Sequence, residues 1–183
     1  MKLIDLEAEY ERLCATPSDI FQHLPTFVEL VEEFDAKHVI ELGTRSGVST
    51  IAWLWGLVGT DGHLTSIDID ERPAIGDHDD WTFIQGDDLD PAIVSSLEPA
   101  DIIFVDTSHL YEQTVKELNV YQWLVKPGGV IVLHDTELRT PETAPPGHPP
   151  FPVKKAIAEF CGANGLSWLN VPYCHGLGIV RMP

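Results

Sequence analysis

Five strand-sized apolar runs, each followed at once by acidic, glycine or histidine residues, constrain this chain more than any other feature. They are "HVIEL" (38–42), "HLTSID" (63–68), "WTFIQ" (81–85), "DIIFVD" (101–106) and "GVIVLHD" (129–135). Between them, residues 48–58, 90–97 and 111–125 carry apolar side chains at helical spacing, and "GTDG" and "KPGG" supply turns. Strands alternating with helices predict right-handed crossovers and a mostly parallel sheet covered on both faces.

The flanks complete the pattern. Residues 3–14 and 24–35, with Pro17 and Pro25 as punctuation, predict two N-terminal helices. After the fifth run comes a Pro-rich polar stretch, 136–150, then a helix predicted from about 152 to 162. "LSWLNV" and "GLGIVRM" read as an antiparallel pair joined near "PYCHG". The fold expected is α/β, Rossmann-like and doubly wound, with a mostly parallel seven-stranded sheet whose last strand is antiparallel. One domain over 1–183 is expected: an N-terminal helical cap (1–36), a core (37–135), a lid loop (136–152) and a closing helix and strand pair (153–183).

Charge narrows the partners. Eleven Lys and Arg against 29 Asp and Glu give a net charge of −18, which repels nucleic-acid phosphates and anionic lipid. Neither nucleic acid nor membrane is expected as a partner. The three cysteines, Cys14, Cys161 and Cys174, form no disulfide framework or zinc spacing. The acid-rich start lacks the apolar core of a signal peptide, so a cytoplasmic location is expected.

Ligands of open parallel sheets bind beyond the carboxyl ends of the strands. Those ends supply Glu41, Gly43 and Gly47; Asp68 and Asp70; Gly86, Asp87 and Asp88; Asp106 and His109; and His134 and Asp135. Turns and helix caps account for some of these residues equally well. The turn "ELGTRSGVST" has Arg45 where a dinucleotide fingerprint needs its middle glycine, and it lacks the Gly-Lys-Ser/Thr of a P-loop. Its helix N-terminus still offers free N–H groups, and Asp68 is placed to accept from a ribose diol.

In order and spacing, "VIELGTRSGVST", "TSIDID", "FIQGDD", "DIIFVDTSH" and "KPGGVIVLHD" resemble the successive motifs of class I S-adenosylmethionine-dependent methyltransferases over residues 38–135. Within them the chain most resembles the catechol and caffeoyl-CoA type O-methyltransferases and the short bacterial cephalosporin-hydroxylase-like and macrolide or sugar O-methyltransferases. The resemblance implies that Gly43 and Gly47, with Thr44 and Ser46 between them, cradle the methionine end of the cofactor. Glu41 would orient that turn and the ammonium group, and Asp68 would take the ribose hydroxyls. Gly86, Asp87 and Asp88 would lie beside the adenine, with Trp81 either flanking the ring or packing in the core.

The resemblance also implies a divalent-metal site at Asp106, His134 and Asp135, with Asp106 shared between cofactor and chemistry. An imidazole at 134 replaces a carboxylate, so manganese, iron, nickel or zinc suits the set better than magnesium, or no metal is held. His109 stands where the catechol-type enzymes place a catalytic lysine and would act as base; alternatively it is exposed at a helix start capped by Thr107 or Ser108. Tyr111, Glu112, His148 and His175 are further candidates to line the site.

The function implied is methyl transfer to a hydroxyl of a small molecule through a metal, a His base, or both. The alternative is a cofactor-binding sensor or inactive partner subunit. "DTSH" stands where DNA amine methyltransferases carry Asn/Asp-Pro-Pro-Tyr/Phe, which argues against that class. A homodimer is the oligomeric expectation, with an acceptor pocket that is either open or completed by the second subunit.

Overall fold

The computed structural model describes residues 5–141 and 147–183. The chain begins with α1 (Leu6–Cys14), capped by Asp5, whose carboxylate accepts from the Ala8 N–H at 3.2 Å. A short 3₁₀ turn, Phe21–His23, leads into α2 (Leu24–Glu33). Then β1 (His38–Leu42), α3 (Val48–Leu57), β2 (His63–Asp68), β3 (Trp81–Gln85), α4 (Pro91–Val94), β4 (Ala100–Val105) and α5 (Tyr111–Tyr121) follow. The chain closes with β5 (Val125–His134), α6 (Pro152–Asn164), β6 (Trp168–Val171) and β7 (Leu177–Arg181).

All seven strands form one sheet in the order β3-β2-β1-β4-β5-β7-β6. Strands β1 to β5 pair in parallel, and β7 runs antiparallel to both β5 and β6. The order reverses between β1 and β4, so the crevice at their carboxyl ends is the switch point where such sheets bind ligands.

Strand pleating divides the core in two. Val39 of β1 faces the layer of α1, α2 and α3, where Phe27 stacks on Trp53 at 4.4 Å and meets Phe104 at 4.9 Å. Its neighbours Ile40 and Leu42 face the opposite layer, with Leu118 and Tyr121 of α5 and Ile157 of α6. Burying each such side chain contributes ~1.5–3 kcal/mol, so the sheet ends are held from both sides.

Some bounds differ from the sequence expectation. β5 begins at Val125, because "KPGG" continues along the edge of β4 through a register shift between Ala100 and Ile102. The helix expected over 90–97 shrinks to the four residues of α4, and α5 stops at Tyr121, leaving Trp123 81 % exposed. Of the expected lid loop, residues 142–146 lie outside the described residues; on its flanks, the Thr140 N–H donates to the Pro150 carbonyl at 3.0 Å. No described helix is long and apolar enough to cross a membrane.

Candidate active site

The turn after β1 is shaped by a close backbone approach. Gly43 has φ +87°, and a Cβ there would stand 2.0 Å from the Asp106 carbonyl oxygen, so only glycine lets the ends of β1 and β4 meet. Asp106 in turn donates its N–H to Leu42 O at 2.8 Å, and Gly43 donates to Ile67 O at 2.9 Å. Three strand ends are thereby tied together. Asp68, at the end of β2, fixes the rest of the turn: Thr44 N (2.7 Å), Thr44 Oγ1 (3.0 Å) and Arg45 N (3.0 Å) all donate to its Oδ2, and Asp70 N donates to Oδ1 at 2.9 Å. Burial works to raise its pKa, but these donors outweigh it and hold the carboxyl below its usual range.

Glu41 lies beneath this turn. It is fully buried and accepts from Ser49 Oγ (2.6 Å), Thr50 Oγ1 (2.8 Å) and Ser66 Oγ (2.6 Å), which ties the first turn of α3 to β1 and β2. Burial pushes its pKa up to about 7 against those three hydroxyl donors. Glu41 therefore supports the turn from below, as expected of a residue that orients it, and does not itself line the cavity above, so any influence on an ammonium group there would act through the turn or through water. Its carboxylate is spent on three neighbouring hydroxyls. Trp81 belongs to the same layer, donating Nε1–H to Ser66 Oγ at 2.9 Å, and it packs in the core.

Above the turn opens a cavity of about 520 Å³. Gly43, Thr44 and Ser46 form one wall, and Asp68 and Asp70 the next. Gly86, Asp87 and Asp88 line it beyond β3, on one side of β1 in the strand order, and Asp106 and His109 line it beyond β4, on the other. Gly47 caps α3 with φ +83° and lies just outside the lining. Asp19, Asp68, Asp70, Asp87, Asp88 and Asp106 face Arg45 as the one lysine or arginine among the lining residues, and Arg45 is ion-paired to Asp19 at 2.9 Å. Such a lining favours a ligand carrying net positive charge.

On the β4 side, ligand atoms of Asp106, His134 and Asp135 all lie within 4.8 Å of one another. His134 is nearly buried, and its Nε2 lies 3.0 Å from Cys174 O and 3.2 Å from Asp19 O. Carbonyls only accept, so Nε2 carries the proton and Nδ1 faces the two carboxylates, 3.4 Å from Asp106 Oδ1 and 3.3 Å from Asp135 Oδ2. Burial would lower the His134 pKa; Asp106 and Asp135 overcome it and push the group up to about 10. Burial likewise opposes ionisation of Asp135, but His109 and His134 hold that carboxyl far below its usual range.

His109 and His175 extend the cluster. His109 Nδ1 lies 2.9 Å from Asp135 Oδ2, and His175 Nδ1 lies 3.2 Å from Asp135 Oδ1. Burial lowers the His109 pKa, and the hydrogen bond to Asp135 more than restores it. The alternative of His109 at a capped helix start is corrected: the residue before α5 is Leu110, with no side-chain cap, and His109 sits in a left-handed turn at φ 56°. Thr107 points elsewhere, donating to Glu117 Oε1 at 2.5 Å. Of the further candidates, His175 joins the cluster, whereas Tyr111 donates to Glu159 and lies off the cavity.

The donor set suits a cation. His134 Nδ1 and Asp135 Oδ1 are buried without a hydrogen-bond partner among the described residues; their neighbours are within ion-pair reach but not in hydrogen-bond geometry. A divalent cation that displaced the Nδ1 proton of His134 would meet one imidazole lone pair and two carboxylates, the set borderline divalent metals prefer, with the Nε2–H fixed on carbonyls as the outer support. Sequence reasoning missed Asp19, Glu117 and His23, whose ring stands edge-on to His134 at 5.8 Å. Glu117 had a signal: together with Thr114, Leu118 and Tyr121 it lies on the buried face of α5, an acid at an apolar position.

The family described as "Methyltransferase domain" matches residues 40–136, more than half of the chain. No curated protein matches its sequence. Among solved structures, it is similar to the O-methyltransferase TomG of Streptomyces achromogenes, involved in tomaymycin synthesis and solved with S-adenosylmethionine. That likeness has 18 % identity and a TM-score of 0.70, over 99 % of this chain and 91 % of TomG. An O-methyltransferase from Bacillus cereus in complex with S-adenosylhomocysteine gives 18 % and 0.69, over 97 % and 90 %. MycE, a methyltransferase of the mycinamycin pathway solved with magnesium and S-adenosylhomocysteine, gives 17 % and 0.71 over 99 % of this chain but 55 % of its own. These likenesses carry the fold.

Proposed function

This chain belongs to the methyltransferase-domain family, the class I enzymes that use S-adenosylmethionine, and from that premise we propose that it methylates a hydroxyl oxygen of a small molecule. One observation carries the reading: a single cavity runs from the glycine turn at Gly43 to a wall bearing Asp106 and His109, directly beside His134 and Asp135. Its acids balance a ligand that bears a sulfonium and an ammonium. Asp68 takes three of its four turn donors on Oδ2, whereas Oδ1 accepts only from Asp70 N and keeps a lone pair for a ribose hydroxyl.

A hydroxyl attacks a sulfonium methyl well only when its proton is removed or its pKa lowered. His109 is built for the first task. Nδ1–H held on Asp135 orients the ring and fixes the tautomer, which leaves Nε2 to take the acceptor's proton. Asp135 stabilises the imidazolium that forms. Asp106, His134 and Asp135 would hold a divalent cation, which when bound supplies Lewis-acid polarisation of the acceptor oxygen.

The test is transfer of labelled methyl from S-adenosylmethionine to a panel of sugar, phenol and polyketide hydroxyls, with manganese or magnesium and with a chelator. Transfer that falls at least ten-fold with chelator, and by about 10²–10⁴ in His109→Ala, supports the reading. Cofactor binding without transfer under any condition would favour the sensor or inactive-subunit alternative, and no cofactor binding would overturn both.

A further inference from the structure

We infer that Glu117, fully buried on α5, is a positioning residue for cofactor recognition: it shares a proton with Asp88 and so holds the Asp88 carboxylate as a hydrogen-bond acceptor at the end of the cavity that receives adenine. The inference rests on the S-adenosylmethionine reading above and adds to it a residue that lies outside the cavity wall.

Two half-satisfied acids carry the argument. Glu117 is 0 % exposed and Asp88 8 %. Glu117 Oε1 accepts from Thr107 Oγ1 at 2.5 Å, and Asp88 Oδ1 accepts from Gln113 Nε2 at 3.2 Å. The other oxygen of each, Glu117 Oε2 and Asp88 Oδ2, is buried without a partner among the described residues. Nor does either acid form an ion pair with a described cation. Gln113 and Tyr121, one turn to either side of Glu117 on the same face of α5, both bond Asp88, which brings the two unpartnered carboxylates together, and left so each would carry the full desolvation penalty. A proton between them converts two orphaned acceptors into one charge-assisted hydrogen bond.

The surroundings decide which acid keeps the proton. Burial raises the pKa of both, with Asp88 adding to the rise of Glu117 and Asp87 to that of Asp88. Asp88 lines the cavity beside Asp87 and receives the Gln113 amide, a donor that suits an anion. Glu117 faces inward and is the natural proton carrier. The groups facing the pair are Asp87, from the turn after β3, and Gln113 and Tyr121 of α5, the last donating Oη–H to Asp88 O at 2.7 Å. Thr107, from the turn after β4, completes the shell, so Glu117 also links the adenine end to the loop that bears Asp106 and His109. An aminopurine presents an N–H donor where an oxopurine presents an acceptor, so an acceptor fixed at Asp88 selects the former.

Linkage gives the sign. Raising pH strips the shared proton, sets two anions against each other and displaces Asp88, so cofactor affinity falls on the alkaline side. Titration calorimetry of the full chain with S-adenosylhomocysteine, at about pH 6.5 and about pH 8.5, tests this with Glu117→Gln and Glu117→Ala. Glutamine donates to Asp88 and accepts from Thr107 without titrating. The expected result is that Glu117→Gln binds within about three-fold of wild type at the lower pH and lacks the alkaline loss, while Glu117→Ala weakens binding by about ten-fold or more at both. Equal alkaline losses in wild type and Glu117→Gln, or equal weakening by Gln and Ala, would overturn the inference while wild-type binding stands. A wild-type chain that does not bind S-adenosylhomocysteine would overturn the cofactor reading, and this inference with it.

Discussion

Gly43→Ala isolates the backbone approach on which the site depends. The new Cβ would meet the Asp106 carbonyl oxygen at 2.0 Å and its carbon at 2.8 Å, so the end of β4 must move by roughly 1.5 Å to restore van der Waals distance. Holding alanine at φ +87° costs ~1–2 kcal/mol, and overpacking against a fixed neighbour adds ~1–3 kcal/mol. A total of about 3 kcal/mol corresponds to about 6–12 °C in melting temperature for a domain of this size. Gly59 provides the control: its φ is +77° but nothing lies within 4 Å of an added methyl, so Gly59→Ala carries the left-handed strain alone, ~1–2 kcal/mol. Urea unfolding of both variants, together with S-adenosylhomocysteine affinity, is the assay. Gly43→Ala should lose clearly more stability than Gly59→Ala and at least ten-fold in affinity, because Asp106 and His109 move with β4. Equal stability losses in the two variants would refute the claim that glycine is required there by contact.

Other perturbations give independent expectations. Glu41 has a folded pKa of about 7 against an ordinary value of 4.5, so between those values the folded state binds more protons than the unfolded. Its contribution to stability therefore falls as pH rises through that window, by up to about 1.4 kcal/mol per unit, and Glu41→Gln should flatten the difference between urea midpoints measured at the two ends. His134→Ala should weaken manganese binding in calorimetry by about ten-fold or more while a melt shows the fold retained. Arg45→Ala breaks only an ion pair whose arginine side chain is 78 % exposed, so it should shift stability by ~0–1 kcal/mol in a thermal melt.

Periodicity and punctuation made the sheet legible. β1, β2 and β3 begin and end where the apolar runs do, and the acids after them sit at the carboxyl edge because parallel crossovers put every such end on one side. β5 was less legible, since Pro127 and two glycines read as a turn although the strand edge tolerates them. Side-chain direction was the larger loss. Glu41 and Asp68 both end strands, yet one points under the turn toward three hydroxyls and the other onto it, a difference set by β2 and α3 rather than by local sequence. His109 could be read as a base or as an exposed helix-start residue, and only its ring contact with Asp135, across 26 residues of sequence and from a positive φ, distinguishes the two. The pairing of Glu117 with Asp88 is likewise long-range, and only the misfit of an acid on the buried face of α5 announces it.

The cavity above the glycine turn is proposed to hold cofactor and the Asp106–His134–Asp135 group beside it a metal, and one measurement tests both proposals together. A crystal structure grown with S-adenosylhomocysteine and manganese, with anomalous scattering recorded for the metal, should show adenine beside Asp87 and Asp88 and the homocysteine end at Gly43. One manganese should be bonded to Asp106, His134 and Asp135 at about 2.0–2.3 Å. A cavity empty at saturating ligand would contradict the first, and an anomalous peak that avoids all three side chains the second.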